Sequence, residues 1–194
     1  MMDSYVNRVA TVFYTWLTAF GLAACFCHCS SYVFSPVVDV QIANVWVQDF
    51  TYNNYLGQEQ ASLAFDMDAD LTNEFNWNLK QLFVYLVVTY ESESNQMNEV
   101  IIWDDIIRDK DSATLKFRKE SAKYPLRDQH RDLKGTKASL VLRYRRMPII
   151  GVMGEVENEQ SRRAFKMPER YFRSQKPVKS HHEKPDAYRM EYVS

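Results

Sequence analysis

One stretch, residues 63–90 (LAFDMDADLTNEFNWNLKQLFVYLVVTY), constrains this chain more than any other. Its first part alternates without an error: Leu63, Phe65, Met67, Ala69 and Leu71 fall on one side, and Ala64, Asp66, Asp68 and Asp70 on the other. A period of two marks a strand with one buried and one wet face. The polar, turn-prone run Thr72-Asn73-Glu74 then interrupts it. Residues 79–90 are apolar on both parities, Leu82, Val84, Leu86 and Val88 on one and Phe83, Tyr85 and Val87 on the other. Such a strand must be covered on both sides. Its own core supplies one cover. The other is a second sheet edge, a helix or another protein, and a fully internal strand is an equal alternative.

The rest of the chain reads as short strands with regular punctuation. Val38, Val40 and Ile42 alternate with polar neighbours, and the parity changes near Asn44, which predicts a bulge or bend. Residues 52–60 are expected to be a loop. Residues 100–107 (VIIWDDII) form a strand with Asp104 and Asp105 at a kink or exit, and residues 113–117 a short one. The charged segment 118–135, with Pro125, predicts a surface excursion with a helical turn. Residues 137–144 alternate again, Pro148 and Gly151 break the chain, and residues 152–157 and 164–167 are candidate last strands. With no long amphipathic helix among these strands, the class is mainly β, a sandwich-like domain.

Ahead of this domain, residues 9–27 carry no charge. As a helix they extend ~28 Å, close to the ~30 Å hydrocarbon core of a bilayer. The uncharged run continues to Val38, long for the core of a cleaved signal peptide. Arg8 precedes the segment, and no Lys or Arg follows until Lys80. Positive charge on the cytosolic side then puts residues 1–8 in the cytosol as a short tail, residues 9–34 in the membrane as a single-pass type II signal anchor, and residues 35–172 beyond it. Ser35-Pro36 is expected to end the helix. Two rival readings exist: a cleaved signal peptide, and the bacterial lipoprotein box matched by Leu22-Ala23-Ala24-Cys25. Either would leave a secreted or lipid-anchored β-sandwich that binds a ligand.

Composition excludes several classes. The net charge of −1 gives no bulk attraction to nucleic acid. The three cysteines, Cys25, Cys27 and Cys29, all lie in the apolar segment, so the domain is not disulfide-stapled. Cys25, His28 and Cys29 share one helix face, where packing against a neighbouring helix outweighs metal binding; acylation is a further option. Asp66, Asp68 and Asp70 begin like a calcium loop, but Leu71 and Trp77 stand where Gly and Glu are needed. They are expected to line a wet face opposite basic residues. His130 has no patterned nucleophile beside it, and His181-His182 lie in the charged segment 173–194, expected to be a disordered, solvated tail. No catalytic, cofactor or metal residue is assigned.

FDMDADL, then FNWNLKQLFVYL, and later VIIWDDII resemble the signal peptidase complex family, specifically its third, non-catalytic subunit. The likeness runs from about residue 65 to 107, with Trp77, Lys80, Gln81, Tyr85, Tyr90, Trp103 and Asp104 at matching positions, and is looser over residues 138–144 and at Gly151. It implies a protein of the endoplasmic reticulum membrane with a lumenal β domain. That domain would pack against the catalytic, serine-protease-type subunit and the other membrane subunits while signal peptides are removed. No cofactor is implied. Partner-contact candidates are Phe83, Tyr85, Val87, Trp77 and Trp103. The chain departs from the family in having no N-x-S/T sequon and in the segment beyond about Phe172.

Overall fold

A computed structural model describes residues 4–31, 33, 37–92 and 95–173. Helix α1 (Tyr5–Ser31) comes first, followed by eight strands: β1 (Asp39–Asn53), β2 (Gln58–Asp70), β3 (Leu79–Tyr90), β4 (Asn98–Ile107), β5 (Thr114–Ser121), β6 (Leu126–Asp128), β7 (Lys137–Pro148) and β8 (Gly154–Lys166). Single 3-10 turns occupy Thr72–Glu74 and Lys110–Ser112. The expected helix stop at Ser35-Pro36 and the segment 174–194 lie outside the described residues.

α1 is, among the described residues, the one helix long and apolar enough to cross a membrane. None of its residues is buried against the rest of the chain. At 1.5 Å per residue its 27 residues exceed the ~30 Å that a bilayer core requires. Its threonines return their hydroxyls to the helix, Thr11 to the Asn7 carbonyl and Thr15 to that of Thr11, both at 2.8 Å. Their polar atoms are therefore satisfied without water.

The strands form two antiparallel four-stranded sheets, one ordered β1-β2-β5 with β6 also on β2, the other β4-β3-β7-β8. They pack face to face. Leu63, Phe65, Met67, Ala69 and Leu71 of the alternating stretch all enter the core, as do Leu82, Val84, Leu86, Val88 and Tyr90 opposite them. Each of the Leu, Val, Phe and Met side chains among these, fully buried, contributes about 1.5–3 kcal/mol. At the centre Trp103 meets Phe65 and Phe117 edge-on, at 6.1 and 5.1 Å between ring centroids. The sandwich is closed at its sides: β1 lies against β8, and the Tyr124 N–H bonds the Ile102 carbonyl at 2.9 Å. Phe172 returns to pair with Phe50 through backbone bonds of 2.9 and 2.8 Å.

The bulge expected near Asn44 is present: β1 shifts register against β2 between Ile42 and Val45, and again between Val47 and Asp49. Other expectations are corrected, each for a local reason. The expected loop at 52–60 contracts to a turn at residues 54–57. Asn53 Oδ1 accepts the N–H groups of Tyr55 and Leu56, and Gly57 takes the positive φ of 70°. The 118–135 excursion holds no helix: β5 runs to Ser121 and β6 pairs with β2. Asp104 and Asp105 lie within β4 rather than at its exit. The two final strands are one, β8, with residues 159–162 looped out. There the Ser161 hydroxyl donates to the Asn158 carbonyl at 2.6 Å and accepts the orphaned Leu142 N–H at 2.9 Å.

Strand direction gives the sandwich a base and a top. The loops at 71–78, 108–113 and 149–153 gather at the base, where α1 ends; the 54–57 turn and the described residues between β3 and β4, 91–92 and 95–97, lie at the top. Asn78 ties the base together. Its amide donates to the Ile150 carbonyl at 2.9 Å, its Oδ1 accepts the Ile150 N–H at 3.1 Å, and Cys27 Sγ lies 3.9 Å from that oxygen.

Candidate partner-docking surface

The outer face of the β4-β3-β7-β8 sheet is where the doubly apolar strand resolves. Phe83, Tyr85 and Val87 of β3 point away from the core and gather with Val141 of β7 into a second, small cluster. Antiparallel register sets Val87 opposite both Ile101 and Val141, Tyr85 opposite Asp104 and Arg143, and Phe83 opposite Ile106 and Arg145. The Phe83 and Tyr85 rings stack at 5.2 Å. Tyr85 and Val87 are buried, Phe83 is half-buried, and Ile101 and Ile106 are each 43% exposed.

A charged ladder lies over and beside this cluster. Arg143 forks onto Glu99 of β4 at 2.8 and 2.6 Å and reaches Glu157 of β8 at 2.7 Å. Arg162, in the looped-out segment of β8, binds Glu157 and also Glu159 at 2.8 Å. Arg145 pairs with Glu155 at 2.8 Å, and the Tyr85 O–H donates to the same carboxylate. Bidentate pairs of this kind fix geometry as well as charge. The Arg143 fork holds the Glu99 carboxyl below the usual carboxylate range, and the bonds from Tyr85 and then Arg145 do the same for Glu155. Burial, and then the bond to Glu155, pushes the Tyr85 phenol up. The long arginine stems supply much of the cover that β3 needs on this side. An open depression of about 840 Å³, lined by Tyr90, Met97, Glu99, Arg143 and Arg162 among others, extends the face toward the top.

Of the sequence candidates, the fold brings Phe83, Tyr85 and Val87 together. Trp77 stands apart, 51% exposed in the base loop before β3. Trp103 is 1% exposed and belongs to the core, so it offers this surface no contact. The reason is a bulge in β4. Trp103 pairs with Leu86 and Ile101 with Val87, which leaves Ile102 unpaired. Ile102 and Trp103 can then both point inward. The same bulge puts Ile101 and Ile106 on the outer face, and alternation alone could not find them.

Reactive groups do not converge here. The His130 backbone N–H binds Asp128 at 3.0 Å, and its ring is exposed between β6 and β7. Among the described residues no group of three His, Cys, Asp or Glu is placed to hold a metal ion. The Asp66-Asp68-Asp70 row is engaged within the protein: Asp68 pairs with Arg118 at 2.7 Å, Asp66 accepts the Lys119 N–H at 2.6 Å, and Asp70 caps Thr72 at 2.7 Å.

Sequence comparison gives the surface its context. A family described as signal peptidase subunit matches residues 2–170, so α1 and the sandwich together make up its pattern. The chain is 40% identical over 96 residues to signal peptidase complex subunit 3 of Yarrowia lipolytica, covering 49% of this chain and 52% of that protein. The Drosophila melanogaster protein of the same name is 38% identical over 110 residues, 56% of this chain and 61% of its own length. These two matches therefore span between half and two thirds of the relatives. The Caenorhabditis briggsae protein, also so named, is 35% identical over 165 residues, 81% of this chain and 90% of that protein. The chain belongs to the signal peptidase subunit family.

Proposed function

We propose that this chain is a non-catalytic subunit of the signal peptidase complex of the endoplasmic reticulum membrane. In this reading α1 anchors it with residues 1–8 cytosolic and the sandwich lumenal. The sandwich holds the catalytic, serine-protease-type subunit in its working arrangement while signal peptides are cut from secretory and membrane proteins. Family membership across helix and sandwich is the observation that carries the reading. It disfavours a secreted or lipid-anchored binding protein, because the apolar helix is part of the matched pattern.

The outer face of β4-β3-β7-β8 is the proposed grip, with Phe83, Ile101 and Ile106 as the apolar contacts and Tyr85 and Val87 as the packed floor beneath. Exposed apolar side chains, Ile101 and Ile106, beside a packed floor and rimmed by charge are the composition of a docking surface. In this reading the chain supplies surface and no reacting group. Extraction in mild detergent followed by affinity purification tests the reading. A serine-protease subunit is expected to copurify, and depletion of this chain is expected to lower signal peptide cleavage. Recovery of the chain alone, with cleavage normal in its absence, would refute it.

A further inference from the structure

The base of the sandwich carries an apolar patch that the partner face does not use. Residues 147–153 (MPIIGVM) contain no charge, and Ile149, Val152 and Met153 are mostly exposed. Trp77 is exposed at the same end. Nothing floppy puts these side chains outward. The Ile149 N–H bonds the Asn78 carbonyl at 2.7 Å, and both backbone polar groups of Ile150 are held by the Asn78 side chain.

The height of this loop is set by α1. Counting from Arg8, the last charge before the apolar run, ~20 residues at 1.5 Å per residue cross the ~30 Å hydrocarbon core and end near residue 28. His28 is the residue that meets the loop. Its ring lies so close over Gly151 that a Cβ there would stand 2.1 Å from Nδ1, and Gly151 also has φ of +123°. Only glycine permits this approach. The loop is thus pinned to the helix at the level where hydrocarbon gives way to head groups. That is also the level at which Trp side chains are favoured.

We propose that residues 149–153 and Trp77 form a wedge seated in the head-group region of the leaflet from which α1 emerges. Its ligand is the phospholipid surface itself. Because residues 147–153 bear no charge, seating depends on apolar burial and not on anionic lipid. The 108–113 loop at the same end carries Arg108, Asp109, Lys110 and Asp111 and stays in water. An uneven base of this kind fixes the tilt of the sandwich on the membrane, and with it the height of the docking face.

The inference rests on α1 being a membrane span, and the test separates the two. The full chain, with Cys25, Cys27 and Cys29 replaced by alanine, is given one cysteine by Leu17→Cys, Val152→Cys or Tyr55→Cys. Each variant carries an environment-sensitive fluorophore in phosphatidylcholine nanodiscs with or without spin-labelled lipid. The reporters at 17 and 152 are expected to lose most of their emission to the quencher, 17 to a deep label and 152 to a shallow one. The reporter at 55, at the top, keeps its emission. Ile149→Asp with Met153→Asp is expected to abolish quenching at 152 and leave 17 unchanged. Quenching at 17 without quenching at 152 would overturn the wedge and spare the span. Absence of quenching at 17 would overturn both. A reporter at 152 quenched in the isolated chain yet shielded in the purified complex would assign the loop to another subunit and overturn the wedge.

Discussion

Glu74 is a buried carboxylate with a charged partner, and removing that partner is a quantitative test of how the base is built. Its side chain is 1% exposed. Arg146 of β7 donates to it twice, Nε at 2.6 Å and Nη2 at 2.8 Å, and the Tyr144 O–H adds a third bond at 2.6 Å. In Arg146→Met the stem still packs, but the carboxylate keeps only the tyrosine. Breaking one side of a buried pair costs about 3–5 kcal/mol. Arg146 is itself 37% exposed, so water can partly replace it. The lower end, about 3 kcal/mol, is therefore expected. In a domain of this size that lowers the melting temperature by roughly 10 °C. The assay is unfolding of the full chain in mild detergent, followed by near-ultraviolet circular dichroism of the Phe65–Trp103–Phe117 cluster. Adding Glu74→Gln removes the stranded charge and should recover stability, with a coupling of about 2 kcal/mol across the double-mutant cycle. A loss below about 1 kcal/mol for Arg146→Met would show the pair behaving as a surface ion pair, and the reasoning would fail.

Three further outcomes are expected. Because Glu99 and Glu155 titrate below the ordinary value of 4.5, the stability they contribute is present above that pH and is lost as pH falls through their lower folded values. Acid titration of wild type against Arg143→Gln should show a shallower acid-side decline in the variant. On the docking face, Ile106→Asp should leave melting within about 0.5 kcal/mol of wild type while cutting recovery of the complex in pull-downs, since the residue is exposed. Trp103→Ala should cost about 3–5 kcal/mol in denaturant titration as a core truncation. Trp77→Ala should cost about 0.5 kcal/mol or less, which separates the two tryptophans that sequence alone treats alike.

Some features were legible because they depend only on neighbours along the chain. An uncharged run long enough for a bilayer reads as a helix whatever follows it. Strict alternation at residues 63–71 reads as a half-buried strand because a pleated backbone sends successive side chains to opposite faces. The need to cover both sides of residues 79–90 follows from the same rule, as does the placing of Phe83, Tyr85 and Val87 together. Tertiary structure decided what depends on pairing. The β4 bulge sent Trp103 inward and Ile101 and Ile106 outward, and the looped-out segment in β8 joined two expected strands into one. A bulge inverts the parity of every later residue, yet it is set by pairing with a neighbouring strand, Leu86 with Trp103 and Val87 with Ile101, and not by the pattern within its own strand. The cover for β3 was likewise decided across strands: arginines from β7 and glutamates from β4 and β8 meet there because register sets them side by side, at separations that no local pattern encodes.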